Sequence, residues 1–380
     1  MRRSRGALSG AWHRLGVSPT ELRVTDTLQN GQCFGWATVK PAEPAEGAAA
    51  KSSPLGVAGE ELVGVLSTHL IGLRDLPDDV EFRCYNGAGG TVADEAGAAA
   101  VRAALEDYFQ LGTKLGPLRQ LWGKGDKRMA AIAPSIPGLR VLRQDPTECL
   151  FSFLCSSNNN ISRITQMLDK LRTRYGMPVG QAHGRKHHAF PTIEALAAVD
   201  EADLRTLGFG YRAPFVVRSA QTILAKGGAE WLEGLRGLST DEARAELCTL
   251  HGVGRKVADC VSVFSLDSPE CVPCDTHVWR IACRDMDPTL VECKSLTPAV
   301  HSRVNDLFIS RFGEHAGWAH SLLFAAELPQ FSARLPATLQ HEMEQFRAEG
   351  RRAKAERKRA GAGAPRRSPE KKVKVEAAPS

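Results

Sequence analysis

Lys256 and Asp275 are the two side chains best suited to act together chemically, nineteen residues apart in LHGVGRKVADCVSVFSLDSPECVPCD, from Leu250 to Asp275. A helix ends near Leu250, Gly252 and Gly254 make a tight turn, and a new helix begins near Lys256. A lysine in the first turn of a helix meets the positive end of the macrodipole, and burial adds to the cost of its charge. Both favour the neutral, nucleophilic amine, which can attack a sugar C1′. Asp275, reached after the turns at Pro269 and Pro273, can orient that lysine and offset positive charge developing on a sugar. The open N–H groups at the helix start suit a nucleic-acid phosphate. A surface lysine on a phosphate, with Asp275 capping the next helix THVWRIACRD, gives the same spacing, so both readings stand on the pattern alone.

Cys271, Cys274, Cys283 and Cys293 lie in and after this stretch. One C-x-x-C pair is a weak metal signal, and a cluster at Cys274 would crowd Asp275. No metal and no cofactor is therefore expected.

The elements that must position this segment fall into two regions. Residues 21–142 read as an antiparallel-sheet domain: Val80, Phe82 and Cys84 alternate with Glu81, Arg83 and Tyr85, and ELRVTDTL, FGWATVK and ELVGVL look similar. The Ala/Pro/Glu/Ser-rich stretch at about 41–58 reads as a disordered insertion, and a helix is expected near 94–110. From 143 to 330 the period is helical. Ile161, Ile164, Leu168, Leu171 and Tyr175 mark an amphipathic helix that Gly176 can end, and Ser239 with Glu242 forms a capping box opening a hairpin over about 240–266. The fold class is thus α+β, strands first and helices after.

The chain has 380 residues, 49 Lys plus Arg against 43 Asp plus Glu, and a formal charge of +6. The excess is not evenly spread. Residues 1–20 hold four arginines and no acid, and twelve basic against four acidic residues follow from Arg347 onward, so residues 21–346 are net −6. Residues 1–20 read as a basic flexible tail, with an organellar presequence as the alternative, and 331–380 as a basic tail suited to nuclear localisation or non-specific nucleic-acid contact. No apolar run approaches the roughly 18 residues needed to cross a bilayer, and ten dispersed cysteines fit a reducing compartment.

Residues 250–285 resemble the helix-hairpin-helix, Gly/Pro-rich loop and Asp signature of base-excision DNA glycosylases, with His251 where proline is usual. LRQDPTECLFSFLCSSNNNISRIT (142–165), LGFGYRAPFV (207–216), GWAHSLLFAAEL (317–328) and NGQCFGW (30–36) are similar to the eukaryotic 8-oxoguanine DNA glycosylase family. The resemblance covers about 20–330. It implies a TATA-binding-protein-like sheet domain joined to helical domains, with the active site in the cleft between them. It also implies a bifunctional glycosylase and AP lyase that excises 8-oxoguanine opposite cytosine, as a monomer, beside other base excision repair proteins. The basic ends of the chain place it by expectation in the nucleus, with the mitochondrion or another organelle as a further location.

By the same resemblance, Lys256 is the nucleophile that forms a Schiff base with deoxyribose, and Asp275 assists. Gly31 offers its carbonyl to N7–H of the damaged base, Cys260 and Phe324 sandwich that base, and His320 reads its Watson–Crick edge. Asn158, Arg163, Tyr211 and Arg212 fill the vacated stack and read the orphaned cytosine, and Gly252, Gly254 and His277 meet the DNA backbone. Two residues depart from the family pattern. His320 replaces the usual glutamine, implying altered selectivity or an acid limb near pH 6.5, and Gly35 replaces an arginine. The rival readings are an endonuclease III-like glycosylase for oxidised pyrimidines, disfavoured by the absent cluster spacing, and a damage-binding protein without catalysis.

Overall fold

A computed structural model describes residues 10–39, 60–85, 95–293 and 295–362. The expected insertion at 41–58 lies outside the described residues, as do the ends of both expected tails. Residues 10–335 belong to one compact unit, and residues from 336 onward to another.

In the first unit, His13–Arg14 (β1), Trp36–Val39 (β2), Glu61–Leu66 (β3), His69–Asp75 (β4) and Val80–Tyr85 (β5) form an antiparallel sheet of order β1-β5-β4-β3-β2. The period-two pattern explains its packing. Val80, Phe82 and Cys84 turn inward with Leu62, Ile71 and Leu73, and the helix Glu95–Tyr108 closes that core with Val101 and Leu105. Residues 10–20 are thus not a tail: β1 pairs His13 with Phe82 and Arg14 with Glu81.

Two further stretches depart from the expected pattern. ELRVTDTL forms a short helix, Val24–Leu28, because Asp75 at the end of β4 accepts the Val24 and Thr25 N–H groups at 3.0 and 3.1 Å. That cap comes from a residue distant in sequence, which local alternation cannot reveal. Residues 178–188, expected to be helical, form a hairpin of Pro178–Ala182 (β6) and Arg185–His188 (β7). Its two-residue loop, His183 and Gly184, has φ of 48° and 77°, as a type I′ turn requires. The hairpin covers the outer sheet face, where Tyr85, Val63 and Leu70 pack on Ala182, so Tyr85 is buried although it points away from the main core.

The rest of this unit is mainly helical, and a buried cation ties it to the N-terminal segment. Arg140 donates from Nε to the Phe109 carbonyl at 2.6 Å, from Nη1 to the Glu21 carbonyl at 2.9 Å, and from Nη2 to the Gln110 and Thr113 carbonyls. Partners on every side make burial of the charge tolerable. The second unit contains the helix Ala337–Ala362, so the expected tail from 331 is helical over those residues. No described helix is long and apolar enough to cross a membrane.

Candidate active site

The lysine helix, Arg255–Ser265, begins at Gly254, and no side chain caps it. Its first-turn donors are therefore not claimed by a capping side chain. Lys256 Nζ donates to Ser156 Oγ at 3.3 Å and stands 5.0 Å from the Phe153 ring centroid. Ser156 Oγ in turn donates to the Phe153 carbonyl at 2.6 Å, and Phe153 stacks on Phe264 at 5.5 Å. An aromatic floor with one hydroxyl thus holds the amine.

Asp275 is the N-cap of the helix Thr276–Asp285. Its Oδ1 accepts the His277 and Val278 N–H groups at 2.7 and 2.9 Å. The capping alternative left open by the sequence is therefore realised, and the same carboxylate lines a cavity with Lys256.

That cavity, about 510 Å³, brings Gly31, Cys260, His277, His320 and Phe324 to the same place. Gly31 has φ of +90°, and a Cβ there would fall 2.8 Å from Ile161 Cδ1. Both the conformation and the space call for glycine. Gln32, next in sequence, fixes this wall: it donates to the Thr27 and Arg140 carbonyls at 2.8 Å and accepts the Leu142 N–H at 3.0 Å. Gln144 donates its side chain to the Gln32 carbonyl at 2.8 Å and its N–H to the Phe264 carbonyl at 2.9 Å. Two buried glutamines therefore link the Gly31 wall to the far end of the lysine helix.

Burial sets the protonation of two cavity residues. It pushes the Cys260 thiol up to about 11 against the opposing pull of Lys256, so the thiol is neutral at pH 7. Burial lowers His320 from 6.5 to about 4, with Asp275 acting the other way. The expected acid limb near pH 6.5 is corrected accordingly: water exclusion disfavours the imidazolium. Among the described residues, neither ring nitrogen of His320 has a hydrogen-bond partner. The Gly317 carbonyl, which favours the protonated ring, accepts instead from Ser321 Oγ at 2.9 Å. The helix Ala316–Glu327 reaches this position because Gly317 packs on the Gly/Pro-rich loop; a Cβ there would meet the Cys271 carbonyl at 2.4 Å.

Asn158, Tyr211 and Arg212 form a second cluster, and neither they nor Arg163 line the cavity. Asn158 is exposed with φ of 48°. Its neighbours have structural tasks: Asn159 Nδ2 donates to the Cys155 carbonyl at 2.9 Å, and Asn160 Oδ1 accepts the Arg163 N–H at 3.0 Å to cap the helix Ile161–Tyr175. Tyr211 Oη donates to the Ser157 carbonyl at 2.9 Å. Arg212 is buried and donates to the same carbonyl and to that of Asn158, while its guanidinium lies 4.4 Å from the Tyr211 ring centroid. The Arg163 side chain is exposed.

Phe215, which sequence reasoning passed over, joins this cluster to the hairpin. Its ring meets those of Tyr211 and His251 edge-on at 5.8 and 5.3 Å. Gly252, with φ of +82°, packs on it so closely that a Cβ would lie 2.5 Å from the ring, whereas a Cβ on Gly254 would meet nothing within 4 Å. The two glycines therefore differ: folding requires the first, and the second leaves room beside the lysine helix. His277 Nδ1 lies 2.8 Å from Arg280 Nη2, and its ring meets Phe324 edge-on at 5.6 Å.

A larger cavity, about 720 Å³, runs past Gly35, Glu148 and Arg172 and contains neither Lys256 nor Asp275. The Arg172–Glu148 ion pair fills the space beside Gly35, where a Cβ would fall 2.9 Å from Glu148 Oε1. Cys271 and Cys274 are buried thiols, Cys271 Sγ lying 3.5 Å from Asp259 Oδ1. Among the described residues, no three His, Cys, Asp or Glu side chains group as metal ligands.

Residues 14–150 match the family described as 8-oxoguanine DNA glycosylase, N-terminal domain, and residues 151–287 match the HhH-GPD superfamily base excision DNA repair protein. The chain is 41% identical over 321 residues to the N-glycosylase/DNA lyase OGG1 of Arabidopsis thaliana, spanning 84% of this chain and 80% of that protein. It is 31% identical over 348 residues to the N-glycosylase/DNA lyase of Saccharomyces cerevisiae, spanning 84% and 87%. The solved structure of MBOgg1 in complex with a low affinity DNA ligand has a TM-score of 0.65 at 26% identity, over 83% of this chain and 93% of that one. The Clostridium acetobutylicum 8-oxoguanine glycosylase/lyase, in complex with double-stranded DNA containing cytosine opposite 8-oxoG, shares the fold, with a TM-score of 0.62 at 24% identity over 81% and 92%.

Proposed function

The chain belongs to the 8-oxoguanine DNA glycosylase family and is an N-glycosylase/DNA lyase, and from that premise we propose that it excises 8-oxoguanine opposite cytosine from duplex DNA through Lys256. One observation carries the reading: Lys256 and Asp275 line the same cavity as Gly31, Cys260, His320 and Phe324.

The base leaves the helical stack and enters that cavity. Gly31 turns its backbone carbonyl to N7–H, the donor that distinguishes 8-oxoguanine from guanine. Cys260, as a neutral thiol, and Phe324 pack against the base faces, and neutral His320 offers its edge one donor and one acceptor. The Lys256 amine then forms a bond to C1′ as the bond from C1′ to the base breaks, the departing base keeping that electron pair and gaining a proton. Asp275 faces the positive charge that develops on the sugar. The resulting amine opens the sugar ring to an iminium, which acidifies the C2′ hydrogen. Loss of that proton expels the 3′ phosphate and cuts the strand by β-elimination.

Asn158 and Tyr211 suit the space left in the duplex, and Arg163 and Arg212 suit the acceptors of the orphaned cytosine. Arg212 gives the Ser157 and Asn158 carbonyls only its Nη2, which leaves further guanidinium N–H groups for that base. The open start of the lysine helix, beside Gly252 and Gly254, and His277 suit the phosphates. The basic sequence from Arg347 onward supports delivery to the nucleus, tested by following the chain truncated after Phe346 in cells.

Incubation with an 8-oxoguanine:cytosine duplex and borohydride tests the mechanism. A covalent adduct is expected with the native chain and none with Lys256→Gln. An adduct that survives the substitution overturns the assignment of the nucleophile. Trapping only on oxidised pyrimidines favours the endonuclease III-like reading, and trapping on neither substrate refutes the proposed excision chemistry.

A further inference from the structure

The helix Ala337–Ala362 carries basic residues in a helical order that the excision chemistry does not use. At 3.6 residues per turn, Arg347, Arg351, Lys354 and Lys358 occupy successive positions i, i+4, i+7 and i+11, within an arc of about 60° and over about 16 Å of axis. Glu342, Glu349 and Glu356 recur every seven residues on the opposite face. Only Glu344 adjoins the basic stripe, pairing with Arg351 at 2.6 Å and with Arg347 at 3.9 Å. Arg352 and Arg359, also seven apart, lie off the stripe.

We propose that this stripe is a second nucleic-acid contact surface that lies along the phosphate backbone of duplex DNA. Complementary charge and regular spacing support that occupant. Basic positions recurring every about 4.5–6 Å along the helix axis match a ladder of negative charge, while the acidic positions fall on the opposite side of the helix. Residues 21–346 are net −6, so sequence-independent attraction to DNA has few other sources of excess positive charge. The stripe would hold the enzyme on undamaged duplex between lesions. This surface does not depend on the proposed excision mechanism, because its ligand is undamaged DNA.

Two matched pairs in the full-length chain test it: Arg351→Gln with Lys358→Gln on the stripe, and Arg352→Gln with Arg359→Gln off it. Each pair removes the same charge over the same seven-residue interval, and glutamine keeps a helix propensity close to that of arginine and lysine. Affinity for an undamaged 25-base-pair duplex is measured between 50 and 200 mM salt. The on-stripe pair is expected to reduce the slope of log affinity against log salt by about 1.5–2, the off-stripe pair by less than about 0.5. Borohydride trapping at saturating enzyme should be unchanged in both. Equal slopes for the two pairs would overturn the proposal by making bulk charge the cause. Unchanged DNA affinity with altered nuclear accumulation would also overturn it, making an import carrier the partner of the stripe.

Discussion

Replacing His320 with glutamine tests whether burial, rather than direct pairing, governs this residue. Its ring is buried, and burial takes its ionisation from 6.5 to about 4. Above pH 6.5 the imidazole is neutral in both folded and unfolded chains and contributes no pH dependence. Between 6.5 and 4 the unfolded chain binds a proton that the folded chain refuses, so stability falls as pH falls. The cost is about 2 kcal/mol between pH 7 and pH 5 and about 3 kcal/mol by pH 4. Glutamine does not titrate, so His320→Gln should remove that part of the acid sensitivity whatever its effect on stability at pH 7. Urea unfolding, followed by tryptophan fluorescence at pH 7, 6 and 5, reads the difference between the two proteins. His187 and His301, which burial also lowers, are common to both and drop out of that difference. Parallel pH profiles would refute the reasoning, since they would mean that His320 accepts its proton as readily folded as unfolded.

Substitutions at four further positions separate folding from chemistry. Asp275→Asn keeps an oxygen for the His277 and Val278 N–H groups and should change stability by less than about 1 kcal/mol, yet depress borohydride trapping; Asp275→Ala should lose about 1 kcal/mol as well. Gly31→Ala places a Cβ against Ile161 at positive φ and should lower single-turnover excision by about 100-fold, while trapping on an abasic duplex, which needs no base in the pocket, changes less. Gly252→Ala should lower stability by at least about 2 kcal/mol in urea, because both its φ and the Phe215 ring oppose a side chain. Gly254→Ala should fold normally and weaken duplex binding, since only an incoming backbone would meet the added methyl.

The chemistry-bearing pair was legible in the sequence because a hairpin turn, a helix start and a Gly/Pro-rich loop lie within one continuous segment. The sheet was legible in β5, where Val80, Phe82 and Cys84 are buried and Glu81 and Arg83 between them are less so. The hairpin β6–β7 was not, because its strands are short, and the apolar surface that it covers belongs to the sheet, far away in sequence. The short helix Val24–Leu28 was hidden for a similar reason, its cap being supplied by Asp75.

The sequence by itself determined the residue types and local frames: a lysine at a helix start, an aspartate after a Pro-rich turn, glycine where φ is positive, and basic residues at helical spacing. Only the tertiary structure decided that Gly31 faces the lysine helix through Gln32 and Gln144, and that Arg212 braces the Asn158 loop. It also decided that His320 is dry enough to stay neutral. The distinction is physical: local frames follow from backbone sterics and short-range hydrogen bonds, whereas desolvation and close approach depend on which distant segments exclude water from the same space.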